Sequence, residues 1–93
     1  MIGNYHRALA QKLHIHPARG LEAVIKAKLI TAILKAIEVQ GLTHTELAKR
    51  SGIPRSAVTG ILSGSLQKVT LDRVLRLLDA AKLTAEVRIR RAA

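Results

Sequence analysis

The chain has 93 residues, enough for one hydrophobic core and too few for two domains. Its 16 lysines and arginines outnumber 6 acidic residues and give a net charge of +10, so its electric field attracts polyanions and makes nucleic acid the first partner to consider. It has no cysteine for disulfides or thiolate metal sites, and lysines interrupt its long apolar runs, which argues against a membrane span and leads us to expect a soluble cytoplasmic protein.

The N-terminal segment, residues 1–20, is basic and contains no acidic residue. Its apolar side chains recur every three or four positions, at Ile2, Tyr5, Leu9 and Leu13. This spacing is typical of a short amphipathic helix, but a mobile arm fits as well, because so short a helix is marginal on its own. We expect Pro17 and Gly20 to break the chain before the first core helix.

From Leu21 onward the apolar spacing becomes regular and predicts the first core helix, which Gly41 ends. The predicted stripe consists of Leu21, Val24, Ile25, Leu29, Ile30, Ile33, Leu34 and Ile37. Thr43 and Glu46 then have the spacing of a capping box, which predicts that a second helix, "THTELAKR", begins there and ends at Ser51 and Gly52.

Two further helices follow. Pro54 suits the start of a third helix, "PRSAVTGIL", because a proline has no N–H group to leave unpaired there. After the loop "SGSLQKV", Thr70 is the expected cap of a fourth helix, "LDRVLRLLDAAK". Its predicted buried face consists of Leu71, Val74, Leu75 and Leu78.

The end of the chain, "LTAEVRIRR", changes to the two-residue period of a β-strand. The residues of its apolar face are Leu83, Ala85, Val87 and Ile89. An isolated strand leaves its backbone groups unpaired, so the pattern favours pairing with the same strand of a second copy, in a twofold dimer. The alternative is a fourth helix that continues into a frayed tail.

Residues 47–61 combine the features of a helix-turn-helix unit. Ala48 is small enough for close approach of the two helices, and Gly52 can adopt a left-handed conformation in the turn. Ile53 is expected to fill the corner beneath the turn, while Val58 and Ile61 face the core. Leu47 supplies the opposing apolar contact.

With that side buried, Arg55, Ser56 and Thr59 face outward at the N-terminal end of the third helix, the end that enters a major groove in such units. Arg55 is the expected base reader, since a guanidinium binds guanine O6 and N7 together. Ser56 and Thr59 can bond base edges or phosphates. A glycine inside a helix costs about 1 kcal/mol, so Gly60 is expected to have a packing or contact role.

Phosphate contacts are expected on both sides of this helix. Thr43, His44 and Thr45 lie at the start of the second helix, where free backbone N–H groups favour anions. Ser65, Gln67 and Lys68 follow the third helix. Residues 49–76 contain six basic groups and one acid, so the positive charge is concentrated around the unit.

Together, "LTHTELAKRSGIPRSAVTGILSG" and "VTLDRVLRLLDAAKLTAEVRI" resemble the helix-turn-helix of Cro and phage repressors, the xenobiotic-response-element family. The arrangement of a basic N-terminal segment, a five-element core and a terminal "TAEVRI" strand resembles the HigA-type antitoxin branch. The resemblance covers about residues 21–90. It implies an all-α, five-helix-type domain with a short C-terminal dimerisation strand, and a bacterial or phage origin.

The resemblance also implies a division of the chain and a set of partners. Residues 1–20 form the arm or short helix, residues 21–82 the DNA-binding domain, and residues 83–93 the dimerisation strand and tail. Such antitoxins repress their own operon as dimers on palindromic double-stranded DNA and bind a RelE-like mRNA-cleaving toxin. By position, Arg55, Ser56 and Thr59 read bases. His44 replaces the family's usual phosphate-binding glutamine, and Pro54 replaces its usual Ser or Thr cap.

Three functions remain open at this point: an antitoxin with a RelE-like partner, a stand-alone repressor, and a toxin-neutralising protein that has lost DNA binding. An enzyme is not expected, because no carboxylate pair and no nucleophile with a nearby base is visible. No cofactor and no metal site are expected either. His6, His14 and His16 lack a neighbouring carboxylate or cysteine and a fixed geometry.

Overall fold

A computed structural model describes residues 17–64 and 69–91. Within these ranges the chain forms four helices and no strand: α1 (Pro17–Gln40), α2 (His44–Ser51), α3 (Arg55–Leu62) and α4 (Leu71–Ala80). The predicted all-helical core is therefore confirmed. The short N-terminal helix or arm, with Ile2, Tyr5, Leu9 and Leu13, lies outside the described residues.

α1 begins at Pro17, four residues before the predicted start at Leu21. The expected break at Pro17 and Gly20 is therefore wrong, since both residues belong to the first turns of the helix. A proline is tolerated there because the first N–H groups of a helix have no intrahelical partner. At the other end, Gly41 has φ 67° and ends the helix as predicted.

The buried face of α1 is narrower than its apolar stripe. Ile30, Ile33 and Ala36 are buried, whereas Leu34, expected in the core, is 42% exposed. Lys26 is also buried, and its ammonium donates to the Glu22 carboxylate one turn earlier. This hydrogen bond, together with the charge of Lys26, holds the pKa of Glu22 below its usual value.

Two threonines cap helices as the sequence predicts. Thr43 Oγ1 accepts a hydrogen bond from the N–H of Glu46 at 3.1 Å, and Thr70 Oγ1 accepts one from the N–H of Arg73 at 3.2 Å. The Thr43 hydroxyl in turn donates to the Glu46 carboxylate at 3.2 Å. A capping box would instead have that carboxylate accept from the Thr43 backbone. The start of α2 is thus fixed by side-chain contacts on its outer surface.

α4 buries Val74, Leu77, Leu78 and Ala80. Leu71 and Leu75, predicted to be buried, are 37% and 45% exposed, because the helix face in contact with the core is centred on Val74 and Leu77. The predicted buried face of α4 therefore wrongly includes Leu71 and Leu75 and omits Leu77 and Ala80.

The C-terminal end of α4 is held by two long-range hydrogen bonds. The Arg50 guanidinium donates to the Ala80 carbonyl at 3.1 Å, and the Gln40 amide donates to the Ala81 carbonyl at 2.9 Å. Both carbonyls belong to the last, otherwise unpaired groups of the helix. The ends of α1 and α2 are in this way tied to the end of α4.

One core joins the four helices. α1 packs against α4 and α3, and α2 packs against α3 and α4. The largest fully buried side chains come from all four helices: Ile33, Leu47, Val58, Val74 and Leu77. None of the described helices has the length and apolar character required to cross a bilayer.

Candidate nucleic-acid interface

The turn between α2 and α3 is built as the sequence predicts. Gly52 has φ 72°, and its N–H donates to the Ala48 carbonyl at 2.9 Å, which closes α2. Ile53 follows and is 3% exposed, beneath the corner, with Leu47 and Val58 fully buried beside it in the core. The Ile53 N–H donates to the Ser51 hydroxyl at 3.2 Å, so the backbone of the turn is fixed on both sides.

The outer side of α3 is polar. Arg55, Ser56 and Thr59 are exposed, while Val58 and Ile61 are buried on the opposite side. Pro54 occupies the cap position with φ −56° and makes no side-chain capping bond, so the first N–H groups of α3 are open to an external acceptor. The three predicted base-reading residues therefore share one accessible face.

The start of α2 lies beside that face. Thr43 and Thr45 are exposed and His44 is half-buried. His44 Nδ1 is 2.9 Å from Thr59 Oγ1, a hydrogen-bond distance that joins the predicted phosphate-binding and base-reading groups. The sequence carries no signal for this contact, because the two residues are 15 positions apart and meet only through the packing of α2 on α3.

Not all of the positive charge around the unit is available to DNA. Arg50 lies 4.0 Å from Glu46, and Arg76 lies 3.2 Å from Asp72. Within residues 17–64 and 69–91, Lys49, Arg55 and Arg73 form no ion pair. The charges of these three groups are therefore not balanced by a paired carboxylate among the described residues. The predicted contacts of Ser65, Gln67 and Lys68 lie outside the described residues.

Gly60 lies within α3, and the described residues give no packing reason for a glycine there. A Cβ atom built at this position would have no neighbouring atom within 4 Å. Of the two roles expected for Gly60, an external contact remains as a prediction, while packing against other helices is wrong for the described part of the chain.

The C-terminal residues, predicted to form a dimerisation strand, have neither helical nor strand hydrogen bonding in the single chain, where residues 83–91 are described. Leu83 is half-buried against the core, and its N–H donates to the Leu78 carbonyl at 3.0 Å. Ala85 is exposed, as are Val87 at 81% and Ile89 at 91%. After Leu83, the apolar side of the predicted strand thus has little contact with the other described residues.

Histidine and carboxylate groups do not gather into a metal site among the described residues. His6, His14 and His16, considered above as ligands, lie outside those residues. The absence of a metal site and of catalytic activity stays a prediction.

Two short helices, a glycine turn, a buried inner side and a polar outer side on the second helix define a helix-turn-helix unit. The sequence model described as a helix-turn-helix domain matches residues 15–90, and the chain belongs to this family. This membership agrees with a helix-turn-helix of the Cro and repressor type and indicates DNA binding and transcription regulation. No match was found among curated proteins or among solved structures.

Proposed function

We propose that the protein is a sequence-specific transcriptional repressor that inserts α3 into the major groove of a palindromic operator. The observation that carries the proposal is the outer face of α3, where Arg55, Ser56 and Thr59 are all exposed beside the start of α2. The opposite side of α3 is buried, so the helix can present only this face to a partner.

Each group on this face has a role suited to its chemistry. Arg55 has no ion-pair partner among the described residues, so its guanidinium is free to bind guanine O6 and N7. Ser56 and Thr59 reach base edges or sugar–phosphate groups. Thr43, His44 and Thr45 meet phosphates at the start of α2, where backbone N–H groups and the helix dipole favour anions.

The proposal includes a dimer formed through the C-terminal segment. Its support is the exposure of Val87 and Ile89, which leaves two large aliphatic side chains in water on alternate residues. Pairing with a second copy would cover them and provide partners for the backbone. A dimer of this kind places two α3 helices about 34 to 36 Å apart, on half-sites about 10 to 10.5 bp from centre to centre.

The experiment that tests the proposal is selection of bound duplexes from a randomised double-stranded DNA library, followed by affinity measurement on the enriched sequence. Wild type should enrich two related half-sites with the spacing given above. Arg55→Ala should cost about 1 to 3 kcal/mol and relax the preference at one position in each half-site.

Arg76→Ala is the matched control, because it removes the same charge from an exposed arginine on α4 that pairs with Asp72. It should leave the base preference unchanged at every position. If wild type enriches no sequence, or if Arg55→Ala keeps both affinity and preference, the repressor assignment or its base reader is wrong.

A narrower part of the proposal is that the repressor is the antitoxin of a toxin–antitoxin pair, with a RelE-like toxin as its partner. Its support is the resemblance of residues 21–90 to the HigA-type branch. The toxin would bind through residues 1–20 or the outer face of α1, where Leu34 and Val39 are 42% and 77% exposed. The alternative is a stand-alone phage-type or metabolic repressor.

Purification of the untagged protein from its native host distinguishes the two. An antitoxin should co-purify with a small basic RelE-like protein encoded next to it. The toxin in this complex should not cleave mRNA, because the antitoxin inhibits it. A chain that purifies as a homodimer, with no such neighbouring gene, would support the stand-alone repressor. Library selection covers the third possibility, since a neutralising protein without DNA binding would enrich nothing.

A further inference from the structure

The contact between His44 and Thr59 links the two helices of the unit on its outer surface. Nδ1 of His44 lies 2.9 Å from Oγ1 of Thr59. Thr59 is exposed on the predicted reading face, and His44 is half-buried at the first residue of α2. The bond holds the Thr59 hydroxyl in one direction, and it also decides which hydrogen-bonding groups of that hydroxyl remain for a ligand.

Two arrangements of the bond are chemically distinct. When Nδ1 carries no proton, it accepts from the Thr59 hydroxyl, and only lone pairs of Oγ1 remain to face the DNA. When Nδ1 carries a proton, it donates to Oγ1, and the hydroxyl hydrogen is free to donate to the DNA. Thr59 is therefore an acceptor in the first arrangement and can act as a donor in the second.

The hydrogen-bonding state of Nε2, the other ring nitrogen of His44, determines which of the two arrangements is present. Nε2 is the ring nitrogen that does not contact Thr59, and His44 is the first residue of α2, where a phosphate is expected. In neutral imidazole one nitrogen donates and the other accepts, and the partner of one nitrogen sets the state of the other. A phosphate that accepts from Nε2–H leaves Nδ1 as an acceptor. Protonation of the ring makes both nitrogens donors and reverses the polarity of Thr59.

We propose that His44 is a positioning residue that sets the hydrogen-bonding polarity of Thr59 and so determines which base is read at one operator position. With neutral His44, Thr59 accepts from a base amino group, the N4 of cytosine or the N6 of adenine. With charged His44, Thr59 donates to guanine or to the O4 of thymine. This inference rests on the proposed DNA-binding function and adds a pH-dependent element to it.

The helix that carries His44 and the two helices packed against it contain eight charged side chains. α2 itself, and α3 and α4 packed against it, carry the following: Glu46, Lys49, Arg50, Arg55, Asp72, Arg73, Arg76 and Asp79. Glu46 is held by Thr43 and Arg50, and Asp72 by Arg76. Histidine is the residue type that ordinarily changes charge between pH 5 and 8. Because the chain has four histidines, every comparison needs a variant that keeps His6, His14 and His16 and changes only His44.

The experiment is selection from a randomised duplex library at about pH 8 and about pH 5, at equal ionic strength, with folding checked by circular dichroism at both values. At the position that faces Thr59, wild type should favour cytosine over guanine and thymine at the higher pH, and the reverse at the lower pH. Adenine should be accepted at both, because it presents N7 and N6. The preference should change by about threefold to tenfold, the size of one hydrogen bond.

Variants on both sides of the bond separate this role from a merely structural one. Thr59→Val keeps the shape of the side chain and removes the hydroxyl, so the preference at that position should disappear at both pH values. His44→Phe keeps a planar ring without nitrogens, so the position should accept cytosine, guanine and thymine alike. His44→Asn keeps an amide near the place of Nδ1 and should bind DNA with no pH-dependent change of base.

The outcomes distinguish this inference from the proposed function. If wild type enriches no sequence at either pH, the DNA-binding function fails and the inference fails with it. If wild type enriches an operator, and its preference among cytosine, guanine and thymine at the Thr59 position is the same at both pH values, only the inference is wrong. The same conclusion follows if His44→Asn, folded and bound to the operator, retains the pH-dependent change.

Discussion

At the scale of single residues, glycine occurs at Gly52 and at Gly60 of the helix-turn-helix unit for different physical reasons. A Cβ built at either position would meet no atom within 4 Å, so neither glycine is required by crowding. They differ in backbone conformation, because Gly52 has φ 72° in the turn whereas Gly60 lies inside α3 and has no positive φ. Only the left-handed conformation of Gly52 is unfavourable for a residue that has a Cβ atom.

This difference predicts opposite effects of the same substitution. Gly52→Ala should destabilise the protein by about 1 kcal/mol, because alanine is strained in the left-handed region. Gly60→Ala should stabilise it by about 0.5 to 1 kcal/mol, because alanine is the better helix former and no described residue comes within 4 Å of its methyl group. Thermal and denaturant unfolding of the two variants measures both signs.

A loss of stability in Gly60→Ala would show that packing, after all, requires that glycine. If Gly60→Ala is more stable but binds the enriched operator more weakly, the added methyl obstructs the DNA, and the external contact predicted for Gly60 is supported. Gly52→Ala serves as the control, because its methyl would lie in the turn and not on the outer face of α3.

Much of the candidate site could be predicted residue by residue, because the helical period decides which side of α3 faces inward. Val58 and Ile61 are buried. The helical period alone then places Arg55, Ser56 and Thr59 on the outer side of α3. The bond from His44 to Thr59 was not predictable in this way. It depends on how closely α2 and α3 approach and on the rotamers of both side chains, and local spacing contains neither.

At the scale of helices and segments, boundaries marked by a capping threonine or a left-handed glycine were easier to predict than helix faces. Thr43 and Thr70 mark starts by their side-chain chemistry, and both caps are present. The faces of α1 and α4 were assigned too broadly. Leucines at the margin of a stripe, such as Leu34 and Leu75, are buried only if another element covers that margin, and the sequence does not reveal where neighbouring helices lie.

The end of α4 illustrates the same difficulty. The sequence predicts helix as far as Lys82, but the helix ends at Ala80 because Lys82 has φ 59°. The N–H groups of Lys82 and Leu83 bond the carbonyls of Asp79 and Leu78 at 2.9 and 3.0 Å, a Schellman arrangement. A glycine usually marks such an end, and here the marker is missing.

Lys82→Gly should therefore stabilise the protein by about 0.5 to 1 kcal/mol, because glycine removes the left-handed strain while both terminal hydrogen bonds are kept. Denaturant unfolding of this variant measures the effect. Lys82→Ala is the control, since it removes the same charge and retains a Cβ. Equal stability of the two variants would mean that charge, and not backbone conformation, determines the result.

The C-terminal segment yields a prediction about assembly. A chain without residues 84–93 should sediment as a monomer, because the exposed apolar residues of the proposed strand are gone. That truncation also removes three arginines, so Val87→Ser combined with Ile89→Ser is the better variant, since it preserves every charge. Sedimentation velocity reads out both. A dimer that persists in both chains would place the interface elsewhere.

At the scale of the whole molecule, the distribution of charge matters more than its sum. The net charge of +10 was predicted to favour nucleic acid, and six basic groups lie within residues 49–76. Two of them, Arg50 and Arg76, are engaged in ion pairs with Glu46 and Asp72. Arg50 also holds the Ala80 carbonyl, so part of the apparent DNA-binding charge stabilises the fold.

The remaining cations set an expectation for the salt dependence of binding. If each subunit of a dimer neutralises about three phosphates, the logarithm of the binding constant should fall with the logarithm of salt concentration with a slope of about −5. The Val87→Ser, Ile89→Ser chain should show about half that slope, because a monomer releases half as many counterions. Anisotropy titrations of a labelled duplex over a range of salt concentrations measure both values. An equal slope for the two chains would contradict the dimer, and a slope near zero for wild type would contradict binding through phosphates, since the released counterions are the source of the dependence.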